Sequence, residues 1–318
     1  MQLIPKTLID VSDIFECNVA SPVTRVRTEL FDSAGISLSV KREDLIHPEI
    51  SGNKWRKLKY NLKNAYKENV EYVITFGGAF SNHIYATASA CKAIGLKSVG
   101  IIRGEYDIHN PTTQFAKKCG MELRFVERNQ YREKEHNPVI KSIIQAYGNH
   151  ILIPEGGSNA LAQKGLQDLS NEINELEHNI IMVSAGTGST AIGIIQNLNP
   201  EKKLWIFSSL KSDYLKDIIL KETPHDKQHQ LTFIDQYHFG GYGKTPKELI
   251  TSINDFKKET TIPLDPIYNG KLVSGFCDLV HRGLIDNSQS YLWIHTGGLQ
   301  GIAAYNYMAK KKKKPYLI

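Results

Sequence analysis

Short apolar runs rich in β-branched residues alternate along this chain with longer stretches whose apolar residues recur at helical spacing. The runs at 37–40, 72–75, 98–102, 122–125, 151–153, 181–184, 204–208 and 290–295 predict strands. Between them, 55–67, 82–94, 110–119, 137–148, 159–176, 191–198 and 273–282 predict helices. Strands alternating with helices imply an α/β fold of mainly parallel sheets, in which ligands gather where strands end and helices begin. Two polar stretches, 127–137 and 221–230, are expected as surface connections.

Composition narrows the picture. The 318 residues can bury a sizeable core in two domains or one large one. No apolar run is long enough to span a bilayer, and Met1-Gln2-Leu3-Ile4-Pro5-Lys6 lacks the layout of a secretion signal. Cys17, Cys91, Cys119 and Cys277 are scattered without a CxxC pair, so neither a metal site nor a disulfide framework is expected. These features suit a reduced, cytoplasmic protein. A net charge of +6 invites a nucleic-acid role, but five lysines fill 310–314, and removing them from +6 leaves +1. That run is expected as a solvated tail with weak attraction to polyanions. No basic stripe interleaved with aromatics supports nucleic-acid binding.

The chemistry starts at Ser51-Gly52-Asn53-Lys54-Trp55-Arg56-Lys57-Leu58, where a lysine follows a Gly-Asn turn at the mouth of a predicted helix. Such an amine, if desolvated, loses basicity and can add to a carbonyl compound. A second signal is Ser184-Ala185-Gly186-Thr187-Gly188-Ser189-Thr190-Ala191, a buried strand running through a Gly/Ser/Thr turn into a helix. The helix N-terminus and the hydroxyls make an anion cradle. Gly186, Gly188 and Ala191 also fit G-x-G-x-x-A, but the next strand ends Ser208-Ser209-Leu210 with no carboxylate for a ribose. A single phosphate is the better fit. Further glycine turns at Gly77-Gly78-Ala79-Phe80-Ser81-Asn82-His83, Glu155-Gly156-Gly157-Ser158-Asn159 and His295-Thr296-Gly297-Gly298 also close strands. Together with Lys54 they suggest a cofactor carrying both a phosphate and a carbonyl, as pyridoxal phosphate does.

With those residues assembled, the chain resembles the fold-type II pyridoxal-phosphate enzymes of the tryptophan synthase β-like superfamily. Within it, the chain is most similar to the 1-aminocyclopropane-1-carboxylate (ACC) deaminase and D-cysteine desulfhydrase family. The resemblance runs from about Val40 to Tyr305 and rests on several motifs. Lys41-Arg42-Glu43-Asp44-Leu45 followed by Gly52 to Leu58 looks like the family's lysine segment, which implies that Lys54 forms the Schiff base. The Gly77–His83 motif implies that Asn82 contacts the cofactor ring oxygen and that Ser81 faces substrate, with His83 beside them. Gly186, Thr187, Gly188, Ser189 and Thr190 match the phosphate loop. Tyr268, in Asp265-Pro266-Ile267-Tyr268-Asn269-Gly270-Lys271, and Tyr242, in Gly241-Tyr242-Gly243, match the two active-site tyrosines. The implied fold is two open, twisted, mainly parallel sheets flanked by helices. The implied domains are a large cofactor-binding one (1–54 and 166–318) and a small substrate-side one (55–165), in a homodimer acting on a small amino acid.

Two positions divide activities in that family. The deaminases carry Glu after the tyrosine of the Asp-Pro segment and Leu before the late Gly-Gly, whereas this chain has Asn269 at the substrate position and Thr296 at the cofactor position. His83, too, resembles the desulfhydrase side. A glutamate by the pyridine nitrogen favours its protonated form, whereas a Thr hydroxyl can bond a neutral nitrogen. D-cysteine desulfhydrase activity is therefore the leading expectation, and ACC deamination is the second. A ligand-sensing or polyanion-binding protein on a retired enzyme scaffold is the third. Tyr85, where an Arg is common, and the run Tyr237-His238-Phe239-Gly240-Gly241 depart from the family pattern.

Overall fold

The computed structural model describes residues 20–211 and 214–318. Cys17 and the amino-terminal segment Met1 to Lys6 lie outside the described residues. In chain order the strands are β1 (Val23–Val26), β2 (Ser37–Lys41), β3 (Tyr72–Gly78), β4 (Lys97–Arg103), β5 (Glu122–Val126), β6 (His150–Ile153), β7 (Ile180–Ala185), β8 (Lys203–Ser208), β9 (Leu231–Ile234) and β10 (Ser290–Ile294). They fall into two compact units. One is built on Lys57–Ala162, the other on Ser21–Arg56 together with Gln163–Ile318.

The larger unit has a six-stranded sheet in the order β1-β2-β10-β7-β8-β9, with β1 antiparallel to β2 and the other pairs parallel. Parallel strands covered on both faces read as unbroken apolar runs, and β7 is buried along its whole length. Its side chains alternate between two cores. Ile180 and Met182 cluster with Leu249 and Ile253 of helix Lys247–Thr260 and with Phe276 of helix Asn269–His281. Ile181 and Val183 cluster with Leu166 of helix Ala160–Asn174 and Ile194 of helix Ser189–Asn197. This two-sided burial fixes where β7 ends and hence where the loop after it stands.

The smaller unit has a four-stranded parallel sheet in the order β5-β4-β3-β6. Ile74, Phe76, Val99 and Ile101 pack on one face against Tyr131 and Ile140. Ile102 packs with Ile84 and Ala88 of helix Asn82–Ala93.

Three sequence expectations change. Residues 127–137, expected as a plain connection, hold helix Arg128–Glu133, started by a capping box between Glu127 and Gln130. Residues 221–230 hold a helix end and the 3-10 turn His225–Gln230. The lysine run is not a loose tail but belongs to the end of helix Gln300–Lys312, which Lys313 caps in the left-handed conformation. Cations there complement the helix dipole while staying exposed. Beyond them Leu317 is buried, and Asn306 accepts its N–H at 2.9 Å. Among the described residues no helix is long and apolar enough to cross a membrane.

Candidate active site

Lys54 lies in the first turn of helix Asn53–Lys67 in the larger unit. The approach to that turn tolerates no side chain at Gly52, which has φ +66° and whose ideal Cβ would stand 2.0 Å from the Thr296 carbonyl oxygen. Next to it, the Asn53 N–H donates to the same Thr296 oxygen at 3.2 Å, and Asn53 Nδ2 donates to Thr190 Oγ1 at 2.9 Å. Asn53, which sequence reasoning passed over, thus ties the lysine segment to both the late Gly-Gly turn and the phosphate-loop motif. Burial pushes the Lys54 amine down from 10.5 to about 8. A helix N-terminus also disfavours a cation. Because only the neutral amine attacks a carbonyl, reaction of the cofactor-free protein with pyridoxal phosphate should accelerate with pH about a midpoint near 8. Stopped-flow absorbance across pH checks this, and a midpoint at the ordinary 10.5 would contradict it.

β7 delivers the chain into Gly186, Thr187 and Gly188, and helix Ser189–Asn197 follows. Gly188 caps the helix in the left-handed conformation and brings no side-chain bond to its first N–H groups. Added Cβ atoms would stand 2.9 Å from the Tyr268 ring at Gly186 and 2.9 Å from Ile219 at Gly188, so both positions keep the backbone bare. Ser189 is 3% exposed, and its hydroxyl has no hydrogen-bond partner among the described residues. A buried orphan hydroxyl at the positive end of a helix fits one phosphate of a cofactor. Thr187 is exposed and Thr190 is buried against Asn53.

Tyr268 and Asn269 begin the next part of the site. Buried Asp265 accepts the N–H groups of Ile267, Tyr268 and Asn269 at 2.8–2.9 Å, which fixes the turn into helix Asn269–His281. Burial raises the Asp265 pKa, and those bonds work against the rise. Asn269 was expected at the substrate, but it is 0% exposed and its amide is engaged within the protein. Nδ2 donates to Asp265 Oδ1 at 2.8 Å and to the Gly297 carbonyl at 3.1 Å, while Oδ1 accepts from Trp293 Nε1 at 3.2 Å and from the Thr296 N–H at 3.3 Å. It braces Thr296. Tyr242 is 57% exposed, with its ring centroid 6.3 Å from that of Tyr268.

Ser81, Asn82 and His83 belong to the smaller unit. Ser81 caps helix Asn82–Ala93, its Oγ accepting the N–H groups of His83 and Ile84 at 3.2 and 3.3 Å. His83, expected near substrate, is buried. Thr75 donates its one hydroxyl proton to the Ile153 carbonyl at 2.8 Å, so His83 Nε2 must be the donor in its 2.8 Å bond to Thr75 Oγ1. The hydrogen bonds inside each unit therefore join Asn53, Thr190, Thr296 and Asn269 in one, and Ser81 and His83 in the other. The larger set also includes Glu43, Arg56 and Glu172, whose ion pairs a linear motif hardly signals because Glu172 is so distant in sequence.

A basic-site lysine of lowered pKa, an anion-binding helix end and paired tyrosines define an enzyme that works through a phosphate-bearing carbonyl cofactor. The chain belongs to the pyridoxal-phosphate dependent enzyme family, whose profile matches residues 22–297. It is 31% identical over 290 residues to a Pyrococcus abyssi protein named as a candidate 1-aminocyclopropane-1-carboxylate deaminase, covering 85% of this chain and 87% of that one. It is 26% identical over 310 residues to the D-cysteine desulfhydrase of Serratia proteamaculans, covering 90% and 94%. A crystal structure of an ACC deaminase homologue superposes with a TM-score of 0.76 at 27% identity, covering 92% of each chain. The expected fold class and the expected cofactor are both borne out.

Proposed function

We propose that this protein removes a β-substituent from a small amino acid, with D-cysteine as the leading substrate. With one water consumed, the products are pyruvate, hydrogen sulfide and ammonia. When bound, the cofactor supplies the electron sink that stabilises a carbanion at the α-carbon. Lys54 would hold the cofactor, and its amine, whose pKa burial lowers to about 8, takes the α-proton. Thr187, Gly188, Ser189 and Thr190, with Gly186, hold the phosphate. The Ser81 oxygen already accepts two N–H groups, which directs its own proton outward to a substrate carboxylate. Asn82 would help to hold the cofactor, while Tyr268 and Tyr242 would orient the substrate. The same proposal makes the protein a cytoplasmic homodimer.

The neutral Asn269–Thr296 pair carries this reading. Neither position offers a carboxylate, and both oxygens of nearby Asp265 are occupied by N–H donors. A Thr hydroxyl can bond a ring nitrogen without protonating it, which suffices when thiolate leaves from the β-carbon. ACC ring opening is the second reading, favoured by the Pyrococcus relative's name. Incubating the purified holoenzyme with D-cysteine, L-cysteine and ACC decides between them. The proposal expects sulfide and pyruvate from D-cysteine, whereas 2-oxobutyrate from ACC without sulfide from either cysteine would overturn it.

A further inference from the structure

Lys271 is 1% exposed, lies three residues past Tyr268, and has no carboxylate within ion-pair distance among the described residues. Its ammonium instead donates to three backbone carbonyls: Gly241 at 2.8 Å, His238 at 2.9 Å and Ser209 at 3.3 Å. Three protons meet three acceptors, so the donor capacity is used up. Two of those carbonyls belong to the loop that carries Tyr242. That loop is conformationally expensive: Phe239 (φ +52°), Gly240 (+91°), Gly241 (+105°) and Gly243 (+70°) all sit at positive φ. Few side-chain bonds hold it otherwise. Tyr237 Oη donates to Asp278 at 2.5 Å, and an added Cβ at Gly275 would stand 2.6 Å from the Tyr237 ring.

Positions 271, 275 and 278 follow one face of helix Asn269–His281. The helix that Tyr268 caps therefore also grips the Tyr242 loop along its side. We propose that Lys271 is a positioning residue, whose ammonium clamps the carbonyls of His238 and Gly241 and so sets Tyr242 against Tyr268. Burial pulls the Lys271 pKa down to about 8, and the Asp265 charge works against that fall. Strongly buried lysines seldom persist without such compensation. A methionine would fill the same space more cheaply if packing were all that mattered.

This inference rests on the reading that puts both tyrosines at the substrate, so one of its tests is independent of turnover. In Lys271→Met holoenzyme, amide hydrogen exchange should speed up in 237–244 while helix Ser189–Asn197 and the visible band of the bound cofactor are unchanged. With whichever substrate is turned over, Lys271→Met should lower kcat/KM by about a hundredfold, the scale of an ångström-level misplacement. Adding Tyr242→Phe should then cost less than about a further threefold, because the two residues act as one unit. Lys271→Gln, which retains two N–H donors, should recover part of the loss. Effects of Lys271→Met and Tyr242→Phe that simply multiply would overturn the proposal. So would unchanged exchange in the loop, or loss of the cofactor from both Lys271 variants, which would assign Lys271 to the stability of the whole unit. Absence of turnover in the parent enzyme would sink the substrate reading alone and leave the exchange test standing.

Discussion

Replacing Arg56 with methionine is expected to lower stability by about 3–5 kcal/mol, the cost of stranding a buried carboxylate. Glu43, whose side chain is fully buried, receives Arg56 Nε at 2.9 Å and Nη2 at 2.8 Å, with Ser21 Oγ at 2.6 Å. Arg56 Nη1 also meets Glu172 at 2.6 Å, and Lys41 closes the set at 2.7 Å. Burial works against the Arg56 charge, yet the pull of Glu43 and Glu172 leaves its pKa raised. The network stands two residues beyond Lys54, and the Glu43 backbone carbonyl also accepts the Gly52 N–H at 2.9 Å. It therefore anchors the turn that presents the lysine. The backbone is committed there as well, since a Cβ at Gly165 would stand 1.8 Å from the Arg56 carbonyl oxygen. Urea unfolding of Arg56→Met, with the slope held equal to that of the parent, measures the loss. A loss under about 1 kcal/mol would rank the pair with exposed salt bridges and contradict the account. Glu43→Gln in the same background should restore part of it, because an amide is cheaper to bury than an unpaired carboxylate.

The sequence made the central strands legible because burial on both faces leaves an apolar run with turn residues behind it. β7 and β10 are of this kind. The edge strands of the six-stranded sheet escaped notice for the opposite reason. β1 exposes Val23, Thr24 and Arg25, and only Ile234 of β9 is buried, so neither has an apolar run to read. Helix Lys247–Thr260 buries Leu249, Ile250, Ile253 and Phe256 at helical spacing, but Thr251, Ser252 and Asn254 dilute the stripe. At the site, Lys54 and the glycine loops were legible because each needs a local pattern: a bare turn and a helix start. Hydrogen-bond partnerships were not. Asn53 meets Thr190 across 137 residues, and Lys271 reaches Ser209 across 62. Asn269 shows the same limit from the other side, since a motif could mark it as decisive without revealing that its amide is spent inside the protein.

Lys54→Ala has the largest expected effect on function. Removing the amine takes away both the covalent hold on the cofactor and the base for the α-proton, and a general base alone contributes about 10²–10⁴ in rate. The losses share one group, so turnover should fall by at least about 10⁴ while the fold survives. Survival is expected because a charged lysine is a cost at this position. Between pH 8 and 10.5 the unfolded chain binds the proton more tightly than the native one. The penalty is therefore complete below pH 8 and fades as pH rises toward 10.5. Alanine removes it, so the urea midpoint at neutral pH should not fall. The most direct measurement is the visible absorption spectrum of purified Lys54→Ala after saturation with pyridoxal phosphate and removal of the excess. The account predicts a folded protein without the parent's band and without keto-acid formation. An unchanged band with turnover retained would place the cofactor on another residue and contradict the assignment of Lys54.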